Sequence, residues 1–95
     1  MNQDKTICLL KKNFNFITDV KLTHSDPIPH YVIHINKIKM GEYFNVNTSG
    51  IYKGSSLAML LILDNISSYD KILKVEQLLN NIINPDNNSF LYYES

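Results

Sequence analysis

A chain of 95 residues has room for one hydrophobic core and not two, and with 44% hydrophobic and 19% charged residues it is globular rather than disordered. Nine lysines balance nine acids, so no global field steers a polyanion toward it. One cysteine excludes an internal disulfide and a multi-cysteine zinc site, and no apolar run approaches the roughly 20 residues of a membrane span.

The start, Met1-Asn2-Gln3-Asp4-Lys5, lacks the basic region and long apolar core of a secretion signal. Residues 6–12, Thr-Ile-Cys-Leu-Leu-Lys-Lys, contain a short apolar run that fits a strand buried on both faces, with Cys8 as a buried thiol. Together these point to a reducing, cytoplasmic setting. Asn13 marks a turn. Phe14, Phe16, Val20 and Leu22 then share one parity while Asn15, Asp19, Lys21 and Thr23 share the other, a period of two that predicts a strand with one wet face.

His24-Ser25-Asp26-Pro27-Ile28-Pro29 reads as a loop, because two prolines fix φ and push the residues before them away from helix. Tyr31, Ile33 and Ile35 line one face of the next strand, and His30, His34 and Asn36 the other. The parity flips at Asn36-Lys37, where Ile38 and Met40 become the apolar set. That phase change predicts a β-bulge. Met40-Gly41-Glu42 then serves as a turn into a fourth strand over Tyr43–Val46, Asn47-Thr48-Ser49-Gly50 as a loop, and Ile51-Tyr52-Lys53 as a brief extension of the sheet.

Leu57-Ala58-Met59-Leu60-Leu61-Ile62-Leu63 has no polar face at any period. Its six large apolar side chains represent roughly 9–18 kcal/mol of gross burial energy. Ser55 and Ser56 are N-cap candidates ahead of it, and Leu, Ala and Met favour helix, so the segment is read as the central buried helix. A buried strand is the competing assignment, which periodicity does not exclude. Ser67-Ser68 caps a second helix over Tyr69–Ile83, where Ile72, Val75, Leu79, Ile82 and Ile83 recur at spacings of three and four. Pro85 ends it. Phe90-Leu91-Tyr92-Tyr93 is an aromatic tail, either a last edge strand or a docked segment. Residues 1–95 therefore form a single α+β domain: an N-terminal antiparallel β-sheet of four to five strands with two C-terminal helices packed on one face.

Chemistry-bearing patterns are few. His30-x-x-x-His34 has the metal-pair spacing of a helix, but on a strand the two lie about 13 Å apart at about 3.3 Å per residue, so one ion does not bridge them. His24-Ser25-Asp26 holds three triad residue types, yet neighbours in sequence cannot form the relay. Gly50 to Ser56 has a glycine-serine flavour, but Lys53 precedes Gly54 and the Walker order is lost. Asp64, Asp70, Glu76 and Asp86 are scattered. No catalytic residue, metal or cofactor is expected.

What remains is surface. Arg and Trp are absent while Asn and Ile occur twelve times each, a composition of AT-rich coding that fits a phage, a plasmid or a low-GC bacterium. The reading is a non-enzymatic protein-binding module, an inhibitor or immunity-type accessory protein that occludes a partner protein. Its expected contact residues are Tyr43, Tyr52, Tyr92, Tyr93, Lys37 and Lys39, Tyr being the remaining hot-spot type. A thin core favours homodimerisation. The rival reading is a nucleic-acid binder using a basic sheet face of Lys21, His30, His34, Lys37 and Lys39. It ranks second because Arg is absent and the net charge is zero.

Overall fold

A computed structural model describes residues 5–48 and 54–83. In chain order these form α1 (Lys5–Asn13), β1 (Ile17–His24), β2 (His30–Asn36), α2 (Lys37–Phe44), β3 (Ser56–Ile62) and α3 (Ser68–Ile83). The fold is α+β. Among the described residues there are three strands, not four or five, and three helices distributed along the chain, not two at its C-terminal end. The sheet is antiparallel with order β1-β2-β3.

The N-terminal segment is a helix rather than a strand. Its apolar run is too short for periodicity to decide, but Thr6 and Leu10 lie one turn apart and both are buried, with Ile7 packed beside them. Lys11 and Lys12 occupy the last turn, where cations suit the negative end of the helix dipole. Asn13 Nδ2 donates to the Leu9 carbonyl at 2.8 Å and closes the end. Cys8 faces outward and is exposed, not buried.

The expected alternation holds in β2 and fails in β1: Phe14 and Phe16 are buried but precede the strand, Ile17 and Val20 are its buried residues despite their opposite parity, and Leu22 is exposed. Ile17 pairs with Ile35, Val20 with Ile33 and Leu22 with Tyr31. The register slips between Ile17 and Asp19 and again between Leu22 and His24, so β1 is irregular at both ends. The parity flip after β2 is not a bulge within a longer strand but a direct change from strand to helix. Asn36 keeps an extended backbone, and its side chain accepts a hydrogen bond from Lys39 N at 3.1 Å, which makes it the N-cap of α2. Lys37, Met40 and Gly41 then form the buried stripe, a spacing of three and four. Met40-Gly41-Glu42 is therefore helical, and Tyr43 and Phe44 end α2 instead of opening a fourth strand. Asn45 adopts the left-handed conformation at φ 58° and supplies the C-cap. The chain doubles back so tightly there that a Cβ on Gly41 would lie 2.7 Å from the Val46 carbonyl, which explains a glycine inside a helix.

The apolar segment is not a central helix: Leu57 to Ile62 lie in β3, an edge strand of the described sheet, and Leu63, fully buried, follows it. β3 pairs with β2 without a register break from Asn36↔Ser56 to His30↔Ile62. A strand sends alternate side chains to opposite faces. Leu61 is fully buried, with Leu57 and Met59 half-buried beside the core, while Ala58, Leu60 and Ile62 point outward. Tertiary pairing has overridden the helix preference of Leu, Ala and Met.

α3 fulfils the expected pattern almost to the residue. Ser67 Oγ accepts from Asp70 N at 3.1 Å as the N-cap, and Val75, Leu79 and Ile83 are buried. These residues join Leu10 of α1 and Tyr31, Ile33 and Ile35 of β2 in one core cluster. α1 and α3 thus share one face of the sheet, tied to each other where Lys71 Nζ donates to Thr6 Oγ1 at 2.9 Å. The segment Ile51-Tyr52-Lys53 and the tail Phe90-Leu91-Tyr92-Tyr93 lie outside the described residues.

Two neighbouring leucines test this arrangement. Leu61→Ala should destabilise the chain by about 2–5 kcal/mol as a core truncation. Leu60→Ala, at a position 53% exposed, should stay within about 1 kcal/mol. Urea unfolding of both variants checks this, and equal large losses would restore the buried-helix assignment.

Candidate functional site

Among the described residues the helices cover one face of the sheet and leave the other open. The alternation of β2 places His30, Val32 and His34 opposite the buried Tyr31, Ile33 and Ile35. Register then sets three rows across the open face: Asp19, His34 and Ala58; Lys21, Val32 and Leu60; His24, His30 and Ile62. The first β-strand contributes polar side chains to these rows, and β3 contributes only apolar ones. Leu60 is 53% exposed and Ile62 is 44% exposed.

The two sheet edges differ as well. β1 carries Asp19 and Lys21, has two register breaks and leads into a loop with Pro27 and Pro29. Charges, irregularity and proline all discourage the addition of another strand. β3 has none of these. Ser-Leu-Ala-Met-Leu-Leu-Ile carries no charge and no proline, and its pairing with β2 is regular throughout. A regular, uncharged edge strand with an apolar outer face is a template for another chain.

The residues singled out from sequence do not form one site. Lys21, His30 and His34 do share the open face, whereas Lys37 and Lys39 belong to α2. Lys37 is buried at 3% exposure and Lys39 is exposed, so the five do not make a continuous basic surface. Tyr43 is held in place by aromatic neighbours, with ring centroids 5.8 Å from Phe14, 5.1 Å from Phe16 and 4.8 Å from Phe44. Its hydroxyl donates to Glu76 Oε2 at 2.7 Å, joining α2 to α3. It therefore braces the helical layer while staying partly exposed. Tyr52, Tyr92 and Tyr93 lie outside the described residues.

A groove of about 930 Å³ runs beside α2, bordered by Ile38, Glu42, Val46, Thr48 and Ser55 among others. The Thr48 hydroxyl is committed to the Lys37 carbonyl at 3.0 Å. Glu42 is the one carboxylate among its lining residues, so the groove offers shape and apolar contact rather than an acid–base pair. No helix of the described residues is long and apolar enough to cross a membrane.

Sequence reasoning missed two features. The outward side chains of β3 went unseen because the segment was taken as interior on all sides. The pairing of His24 with His30 went unseen because the test of histidine spacing was applied to His30 and His34. The signal was present: a histidine on each side of a five-residue, two-proline loop, which a hairpin brings opposite each other.

With the geometry in place, comparison adds no relative: no family model matches the chain, and neither a curated protein nor a solved structure matches it.

The Tyr43–Glu76 bond has a pH signature. The Tyr43 hydroxyl is pushed up to about 12 from 10.0, first by its hydrogen bond to Glu76, then by burial, then by the Glu76 charge. Because the folded value lies above the unfolded one, the stabilisation is complete below pH 10 and is lost as pH rises through about 12. NMR titration of the Tyr43 ring should find it ionising above the ordinary phenol range, and Glu76→Ala should return it toward that range. The stability gap between the native chain and Tyr43→Phe should close over the same interval.

Proposed function

We propose that this chain is a non-enzymatic protein-binding module that acts by covering a surface of a partner protein. The observation that carries the reading is the uncharged β3 edge with Leu60 and Ile62 exposed beside it. Apolar side chains on an accessible edge strand gain about 25 cal/mol per Å² when covered, and the outer backbone groups of a strand at the edge of the described sheet can supply directional hydrogen bonds. Polar Lys21, His34 and Asp19 border the apolar rows, an arrangement of dry centre and wet rim common to protein interfaces. Occlusion is the mechanism that such a surface performs without bond-making chemistry.

Small size, absent Arg and abundant Asn and Ile support an accessory protein of a phage, plasmid or low-GC bacterium, of the inhibitor or immunity type. A second copy of the chain presents the same edge, so homodimerisation would use the same strand.

The test pairs the native chain with a Leu60→Lys, Ile62→Lys double variant, whose sites are exposed and whose fold should persist. Affinity capture from a low-GC bacterial lysate, with mass spectrometry, should recover a stoichiometric protein with the native chain and lose it with the variant. Light scattering of the purified chains reports the dimer by the same comparison. Equal recovery by both chains, or recovery of nucleic acid alone, would refute the reading.

A further inference from the structure

The structure assigns a second feature to the open face: a two-histidine site for a divalent transition-metal ion at the β1–β2 hairpin. His24 and His30 are register partners at the end of the two strands, and their rings are 5.3 Å apart with planes inclined by 54°. Two imidazoles bound to one tetrahedral Zn²⁺ through Nε2, at Zn–N distances of about 2.0 Å, hold their ring centroids about 5 Å apart. The observed spacing is that of a ligand pair.

The hydrogen bonds of the two rings are the second observation, independent of the first, and they fix the tautomer. His24 Nδ1 lies 3.1 Å from the Thr23 carbonyl and His30 Nδ1 lies 2.6 Å from the Ile28 carbonyl. A carbonyl oxygen only accepts, so each Nδ1 carries the proton and donates it. That leaves both Nε2 lone pairs unprotonated in the neutral rings. Metal-bound histidines show this same division, one nitrogen on the ion and the other donating to a backbone carbonyl that orients the ring. Here the Nδ1 bonds are already present in both rings. Tyr31, buried in the core, and the Thr23 hydroxyl, which donates to the His30 carbonyl at 3.2 Å, hold the two strand ends together beneath the rings.

Among the described residues no group of three or more His, Cys, Asp or Glu converges on one point. The site therefore supplies two ligands and leaves the remaining positions to water or to a donor from another molecule. Imidazole suits Zn²⁺, Ni²⁺ and Cu²⁺ and not the oxygen-seeking Mg²⁺ and Ca²⁺. This inference does not depend on the protein-binding reading.

Isothermal titration of the full chain with ZnCl₂, at neutral pH in a non-chelating buffer, tests it. One saturable equivalent is expected, with MgCl₂ giving none. His24→Gln and His30→Gln should each weaken binding by about tenfold or more, the loss typical of a damaged ligand set. His34→Gln and Cys8→Ser should leave it unchanged, and a thermal melt of each variant, His30 being half-buried and the other three positions exposed, separates a lost ligand from a lost fold. NMR of the imidazole protons should show His24 and His30 shifting together with Zn²⁺ while His34 stays. Absence of saturable binding, unchanged affinity in either His24→Gln or His30→Gln, or loss of binding in Cys8→Ser would overturn the assignment.

Discussion

The uninterrupted pairing of β3 with β2 is the constraint on which this molecule turns. Once seven successive residues are locked into an antiparallel ladder, their side chains must alternate. An all-apolar segment then sends Leu57, Met59 and Leu61 inward and Ala58, Leu60 and Ile62 outward. Half of a greasy stretch stays wet because backbone hydrogen bonding, not side-chain preference, sets its geometry. A helix would have satisfied the same backbone groups internally, but it would have left β2 without a partner on one side.

The helical layer follows from that sheet. Tyr31, Ile33 and Ile35 present one apolar row, and Leu10, Val75, Leu79 and Ile83 close over it. α2 stands apart because β2 runs into it with no intervening loop, through the Asn36 cap. Its anchorage comes from the aromatic group of Phe14, Phe16, Tyr43 and Phe44 and from the Tyr43–Glu76 bond. Among the described residues the side of the sheet away from these helices receives nothing comparable, and the β3 surface and the histidine pair both lie there.

Legibility in the sequence tracked how many physical signals agreed. α3 combined a serine cap, a three–four spacing and a following proline, and it was readable to within a residue. β2 combined strict alternation with β-branched residues. α1 and β3 were misassigned for the same reason: a short apolar run has no period, so composition decided, and the deciding contacts came from distant residues. At Asn36-Lys37 the change of phase was seen and its cause mistaken, since a cap and a bulge leave similar traces in a pattern of apolar residues. The site residues fared worse. Lys37 looked like a solvated strand residue and is buried in the α2 stripe. Tyr43 looked like a free contact and braces two helices. Its role depends on Glu76, 33 residues away, and no local pattern encodes such a distance.

The irregular register of β1 would bear on assembly if the proposed edge pairing forms. A sheet that admits a neighbour along one border and repels it along the other has a built-in stop. Two such molecules joined border to border expose only kinked, charged margins at the extremities of the combined sheet, so growth halts at a pair and does not run on into a filament. In the edge-to-edge pair proposed above, the slips at Thr18 and Thr23 would set that limit on stoichiometry.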